Sequence, residues 1–264
     1  MNNDRYNLRP NRKPNYDPLF MQLGYKAGLR EFGDEGVIAI EKEVKQLHYY
    51  ECVTPRSDLT KGQRRQVLEY LMKLKRKKDG TIKGRGCADG SRQNLYKEDT
   101  SSPTVSTKSL FISCAIDAKE RRNVATVDLP GAFLQTPLHK DEEIFMALRG
   151  KMAELLCKQD PARYEQHLQY DRRKNEHYMD VQLSKAVYGI VQAALRFYED
   201  LSGFLESEGF VVNPYDFCVF NKMINDKQCT ILFHVDDLKI SHTSDDTISE
   251  IIKNCRHVSE NWLL

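Results

Sequence analysis

The chain has 264 residues, of which 40% are hydrophobic, 9% aromatic and 30% charged, enough apolar material for one large or two small folded domains. That composition excludes intrinsic disorder and collagen-like repetition. The 40 basic and 38 acidic side chains nearly cancel, and neither a long apolar run nor an apolar segment in the start MNNDRYNLRPNRKPNYD is present, which argues against a membrane span or secretory signal. Seven scattered cysteines with no CxxC pair argue against a zinc knuckle and read as reduced thiols of an intracellular protein.

Charge is unevenly distributed. Residues 1–92 hold 20 basic and 12 acidic side chains, whereas residues 93–264 hold 20 and 26. The steepest stretch, 61–92, sets 11 basic residues against 3 acidic ones, a density that attracts polyanions. Its core, Lys75-Arg76-Lys77-Lys78, taken alone reads more readily as solubilising surface or a nuclear-import signal than as an active-site element.

In chain order, residues 1–18, with Pro10, Pro14 and Pro18 among Asn and Arg, read as an extended linker or arm. Val37, Ile40, Val44 and Leu47 recur at helical spacing, as do Val67, Leu68, Leu71 and Leu74, so two amphipathic helices are expected there. Asp79-Gly80 is a turn signal, and TIKGRG beyond it suggests a hairpin arm carrying Lys83 and Arg85 toward something anionic. A third helix fits 106–120, capped by Ser106 or Thr107, with Leu110, Phe111, Cys114 and Ala115 as its buried stripe. The segment 150–177, rich in Arg, Lys, Glu and Gln, reads as a surface insertion.

Chemistry enters with NVATVDLPGAFLQ, a strand from Val124 to Val127 that delivers Asp128 at its end. Alone, Asp128 reads as a turn or cap residue. Further on, CTILFHVDDLKISH is β-branched and apolar on both sides of Asp236-Asp237, which suggests a core hairpin presenting two acids at its tip. Like charges so placed repel and call for a cation. With Asp128 at a neighbouring strand end, they would form an oxygen-rich site for two Mg²⁺ ions about 3.5–4 Å apart, the arrangement that serves phosphoryl transfer.

Five blocks then carry a family resemblance: KGRGCADG, SSPTVS, TVDLPGAFLQ, SKAVYGIVQAALRFY and FHVDDLKIS. In this order they resemble the reverse transcriptase region of copia-type long-terminal-repeat retrotransposons, in a divergent branch, over nearly the whole chain. The resemblance implies that Asp128, Asp236 and Asp237 are the catalytic, metal-binding carboxylates. It implies that Phe133 rejects a 2′-hydroxyl, that Gln192 contacts the incoming nucleotide, and that Lys83 and Arg85 neutralise its triphosphate. His234, standing where the family has Tyr, is placed near the primer end, and Lys75, Arg76 and Lys77 are placed against primer or template. Other departures are Ala194-Leu195 for Pro-Arg and Phe197 for Trp.

The implied fold is α+β, a right-hand polymerase with fingers over 19–121 and a palm over 122–246. The antiparallel palm sheet is expected to combine the Asp128 strand, the 229–242 hairpin, and 178–183 with 216–222, backed by helices at 106–120 and 187–208. Residues 247–264 read as a truncated C-terminal segment with one helix at 247–254 and the thumb missing. The implied function is RNA-directed DNA polymerisation with two Mg²⁺ ions, or Mn²⁺ in their place, acting on a primed RNA or DNA template and deoxynucleoside triphosphates. RNase H and integrase portions of a parent polyprotein are implied partners, with no membrane, in a cytoplasmic particle or the nucleus. The alternative is a catalytically inactive remnant that binds nucleic acid or protein.

Overall fold

The structure, a computed structural model, describes residues 22–93 and 100–261, and the arm expected over 1–18 lies outside them. Strand β1 (Gln22–Gly24) leads into α1 (Tyr25–Tyr49), then β2 (Val53–Pro55), the single turn α2 (Lys61–Arg64), and strands β3 (Leu68–Arg76) and β4 (Ile82–Ala88). Helix α3 (Thr107–Glu120) precedes β5 (Asn123–Asp128), α4 (Ala132–Gln135) and β6 (Phe145–Arg149). Next come α5 (Lys151–Gln159), α6 (Pro161–Tyr164), β7 (Gln169–Asp171), β8 (Glu176–Leu183) and α7 (Ala193–Ser207). Strands β9 (Val211–Asn213), β10 (Asp216–Ile224), β11 (Lys227–His234) and β12 (Asp237–His242) then lead to α8 (Asp245–Asn261), longer than the helix expected at 247–254. The architecture is mixed α+β. No helix among the described residues is long and apolar enough to cross a membrane.

Compactness divides the described chain into residues 22–43 with 71–86, and residues 44–70 with 87–261. In the first unit β1 and β4 both pair with β3, with Gln22 opposite Lys75. The helix expected over 67–74 is therefore corrected: Leu68 to Leu74 belong to strand β3. Both periodicities fit its apolar residues, but burial follows period two, with Leu68, Tyr70, Met72 and Leu74 all at most 5% exposed and Leu71 at 37%. The hairpin after it is as expected. Lys77 N–H donates to Thr81 O at 2.8 Å, Gly80 takes φ 86°, and the Asp79 carboxylate accepts from the Thr81 N–H.

The second unit holds two groups of strands. In one, β8 pairs antiparallel with β2, β6 and β7, and the Leu68–Glu69 end of β3 runs parallel to β6. The other is an antiparallel five-stranded sheet in the order β5-β12-β11-β10-β9. The expectation that 178–183 joins the Asp128 strand is corrected, because β6, an almost wholly buried strand the sequence reading did not identify, gives β8 a different partner. The helix expected over 187–208 begins only at Ala193.

Two further expectations change on burial. Within 150–177, Met152, Ala153, Leu155, Leu156 and Tyr164 are buried, so one face of that polar segment belongs to the core. Helix α3 is capped by Ser106 as expected, but Phe111 is 68% exposed, and the helix buries Ser113 and Asp117. The cause lies on β12, where Lys239 donates to Ser113 Oγ at 2.8 Å and forms an ion pair with Asp117. A half-buried ammonium needs those partners, and their side of the helix is drawn to the sheet instead of the apolar side.

Candidate active site

The acidic tip is built by strand register. Strands β11 and β12 form a hairpin in which His234 pairs with Asp237, leaving Val235 and Asp236 as its two-residue turn. Val235 takes φ 58°, which is strained for a β-branched side chain. On its other edge β12 pairs with β5, and Asp237 lies directly opposite Asp128. Beside this pair Leu129 N–H donates to Asp236 O at 3.1 Å. That bond makes Asp128 and Asp237 a non-hydrogen-bonded pair, whose α-carbons lie about 4.5 Å apart with side chains on one face.

His234, Asp237 and Asp128 thus form a row across three adjacent strands, with Asp236 next to it on the turn. Asp128, Asp237 and His234 are exposed and Asp236 half-buried, and no side chain among the described residues pairs with the three carboxylates. The opposite face of these strands is apolar: Val127, Ile231, Phe233, Leu238 and Ile240 are buried beneath the tip.

The loop after Asp128 is fixed from several sides. Gly131 takes φ 67°, and a β-carbon there would come 3.1 Å from the Tyr50 ring. The buried Gln135 side chain donates to Pro130 O at 2.8 Å and Thr136 Oγ1 donates to Ala132 O at 3.0 Å. Phe133 is 8% exposed and is held edge-on by Tyr188 at 4.6 Å and Phe197 at 5.8 Å between ring centroids. Gln192, at the start of α7, is 1% exposed and hydrogen-bonded to Gln93, a residue the sequence reading did not single out.

The basic candidates lie in the first unit. Lys75, Arg76, Lys77, Lys83 and Arg85 line one cavity of about 350 Å³, together with Lys73. Burial pushes the Glu43 carboxyl above its ordinary range, against the opposing effects of the Gly86 N–H from which it accepts and of the nearby Lys83 and Arg85. These residues form a set of their own, and the carboxylates and Phe133 form another within the second unit.

As the side chains stand, no three His, Cys, Asp or Glu residues among the described ones are grouped to hold a metal ion. The donor chemistry of the tip nevertheless fits a hard divalent cation. Mg²⁺ takes oxygen ligands and binds through one or two carboxylates with substrate phosphates and water, so it needs no closed cage of protein groups. Two facing carboxylates with a third beside them, and no cation among the described residues to neutralise them, meet that requirement.

A family model described as Reverse transcriptase (RNA-dependent DNA polymerase) matches residues 52–258. No curated protein matches the chain. The match spans well over half of the sequence and includes both strands of the acidic hairpin and the strand that faces it, and the chain accordingly belongs to the reverse transcriptase (RNA-dependent DNA polymerase) family.

Proposed function

We propose that this chain is the polymerase portion of a copia-type retrotransposon polyprotein and extends a primer on an RNA or DNA template. In this reading residues 122–246 act as the palm and the basic β3–β4 hairpin belongs to the fingers. RNase H and integrase are further portions of the parent polyprotein. One observation carries the reading: Asp128 stands opposite Asp237 at the end of an apolar sheet, with Asp236 on the adjoining turn.

The reaction joins the primer 3′-oxygen to the α-phosphorus of a deoxynucleoside triphosphate. The bond from that phosphorus to the bridging oxygen breaks, pyrophosphate leaves, and the hydroxyl proton is released. Asp128 and Asp236 would be the principal ligands of two Mg²⁺ or Mn²⁺ ions, with Asp237 beside them. Metal ions held by these carboxylates would supply a lowered pKa for the attacking hydroxyl and charge to offset that on the reacting phosphate.

The remaining roles fall to the chain's own groups. Phe133, wedged between two rings, has no freedom to retreat from a ribose 2′-hydroxyl and no atom to hydrogen-bond it, so it selects deoxyribose. Lys83 and Arg85 neutralise the triphosphate. Lys75, Arg76 and Lys77 hold template phosphates, and His234 lies beside the primer end.

Primer extension on a poly(rA) template with an oligo(dT) primer and Mg²⁺ tests the proposal. The wild-type chain should extend the primer and Asp236→Asn should not. A wild-type chain that binds the template yet adds no nucleotide would return it to the class of inactive binding remnants.

A further inference from the structure

Within the second unit, residues 88–93 run alongside residues 188–192. Ala88 N–H donates to Tyr188 O at 2.7 Å. A β-carbon on Gly90 would lie 2.0 Å from Gly189 O, and one on Gly189 would lie 2.1 Å from Ala88 O, so the two backbones touch as only glycines permit. At the end of this contact the Gln93 side chain makes two hydrogen bonds. Its Oε1 accepts from Val191 N–H at 3.0 Å, and its Nε2 donates to Gln192 Oε1 at 2.5 Å.

These bonds fix the orientation of both amides. A backbone N–H can only donate, so Gln93 must turn its oxygen to Val191 and its NH₂ group to Gln192. Gln192 must in turn offer its oxygen, which leaves its nitrogen on the far side of the amide. That Nε2 is buried with no acceptor among the described residues. A buried donor left unmatched is costly, and an acceptor arriving with a ligand relieves the cost.

We propose that Gln93 is a positioning residue, which orients the Gln192 amide so that the site presents a hydrogen-bond donor to an acceptor oxygen of the incoming deoxynucleoside triphosphate. The inference rests on the polymerase reading and adds to it a residue that touches no substrate. Without Gln93 the Gln192 amide is free to turn over and present its oxygen, which the oxygen atoms of the nucleotide repel.

The test is equilibrium binding of dTTP to the full chain carrying a poly(rA)–oligo(dT) template–primer, alongside KM and kcat for extension. Gln93→Glu keeps an acceptor for Val191 N–H but cannot donate to Gln192 at pH 8, so the amide turns its nitrogen to the new carboxylate. Binding of dTTP should weaken about tenfold, the equivalent of about 1.4 kcal/mol. KM should rise in step while kcat and template binding hold. In a Gln192→Met background the same substitution should add nothing, because its effect passes through that amide. Should Gln93→Glu melt well below the wild type, Gln93→Met, which keeps the bulk and loses both bonds, is read the same way. Equal dTTP binding by variant and wild type, or an undiminished loss in the Gln192→Met background, overturns this inference and leaves the polymerase reading intact. A wild-type chain that binds template but no dTTP overturns both.

Discussion

Two groups of charges in the second unit are treated in opposite ways. Arg196 and Glu142 are 10% and 2% exposed as side chains, and the guanidinium meets the carboxylate through Nε at 3.2 Å and Nη2 at 2.8 Å. Glu199 takes Nη1 at 2.6 Å. Every charge in that group answers another. At the hairpin tip, Asp128 and Asp237 face each other across two strands with no cation from the described residues beside them. Like charges opposed on a sheet destabilise it. The fold gains nothing from the second arrangement, so its value lies in what the carboxylates can bind.

The largest effect should come from removing that value. Asp128→Asn or Asp236→Asn should lower primer extension by more than roughly a hundredfold, since residues one step removed from a metal already cost ten- to a hundredfold. Thermal melting of either variant should not fall. A loss of activity that merely tracks a loss of folding would erase the contrast between the two groups.

The buried group should respond in the reverse sense. Glu142→Ala leaves the Arg196 charge in the interior with Glu199 as its remaining ion-pair partner among the described residues, and should cost about 3 kcal/mol of stability in urea unfolding. Its effect on extension should be no greater than the unfolded fraction explains. A neutral result would mean that the pair is not the structural element its burial suggests.

The contrast also explains what the sequence reveals and what it conceals. The acidic strand end and the hairpin were legible because both lie in short apolar runs whose punctuation is local: Asp128 ends a strand, and Asp236 interrupts one. The family blocks supplied the order in which these pieces meet. Strand β3 was misread because VLEYLMKL carries apolar residues at both spacings, and only the exposure of Leu71 decides between them. The buried side of α3 was illegible for a different reason. It is chosen by Lys239, 122 residues away from Asp117, and no local pattern carries that information. Gln93 was missed for the same reason, since its meaning depends on Gln192, 99 residues further along the chain.

Asp200, on α7, lies between the two extremes. Burial, reinforced by the neighbouring Glu199 charge, pushes its carboxyl up to about 6, against the effects of His139 and Arg196. One of its oxygens is buried without a hydrogen-bond partner among the described residues. The folded pKa therefore lies above the unfolded value of about 3.9. The stability this group contributes is complete below about pH 4 and is lost as pH rises through about 6. Asp200→Asn, which mimics the protonated form, should match the wild type in acid and exceed it above pH 6 by about 1–2 kcal/mol. A difference curve flat from pH 4 to 7 would show that the site is better hydrated than its burial implies.

The smallest effect is the most direct measure of repulsion at the tip. Replacing Asp128 by Asn removes one of two facing charges while keeping the shape of the side chain, and opposed like charges on neighbouring strands are worth a few tenths of a kcal/mol. In the absence of divalent cation, Asp128→Asn should therefore be more stable than the wild type by about 0.5 kcal/mol in urea unfolding. Adding Mg²⁺ should narrow or reverse that difference, because the wild type holds the carboxylate the ion relieves. If the gain persists unchanged at millimolar Mg²⁺, the free chain does not hold the ion, and the carboxylates acquire it only together with the triphosphate.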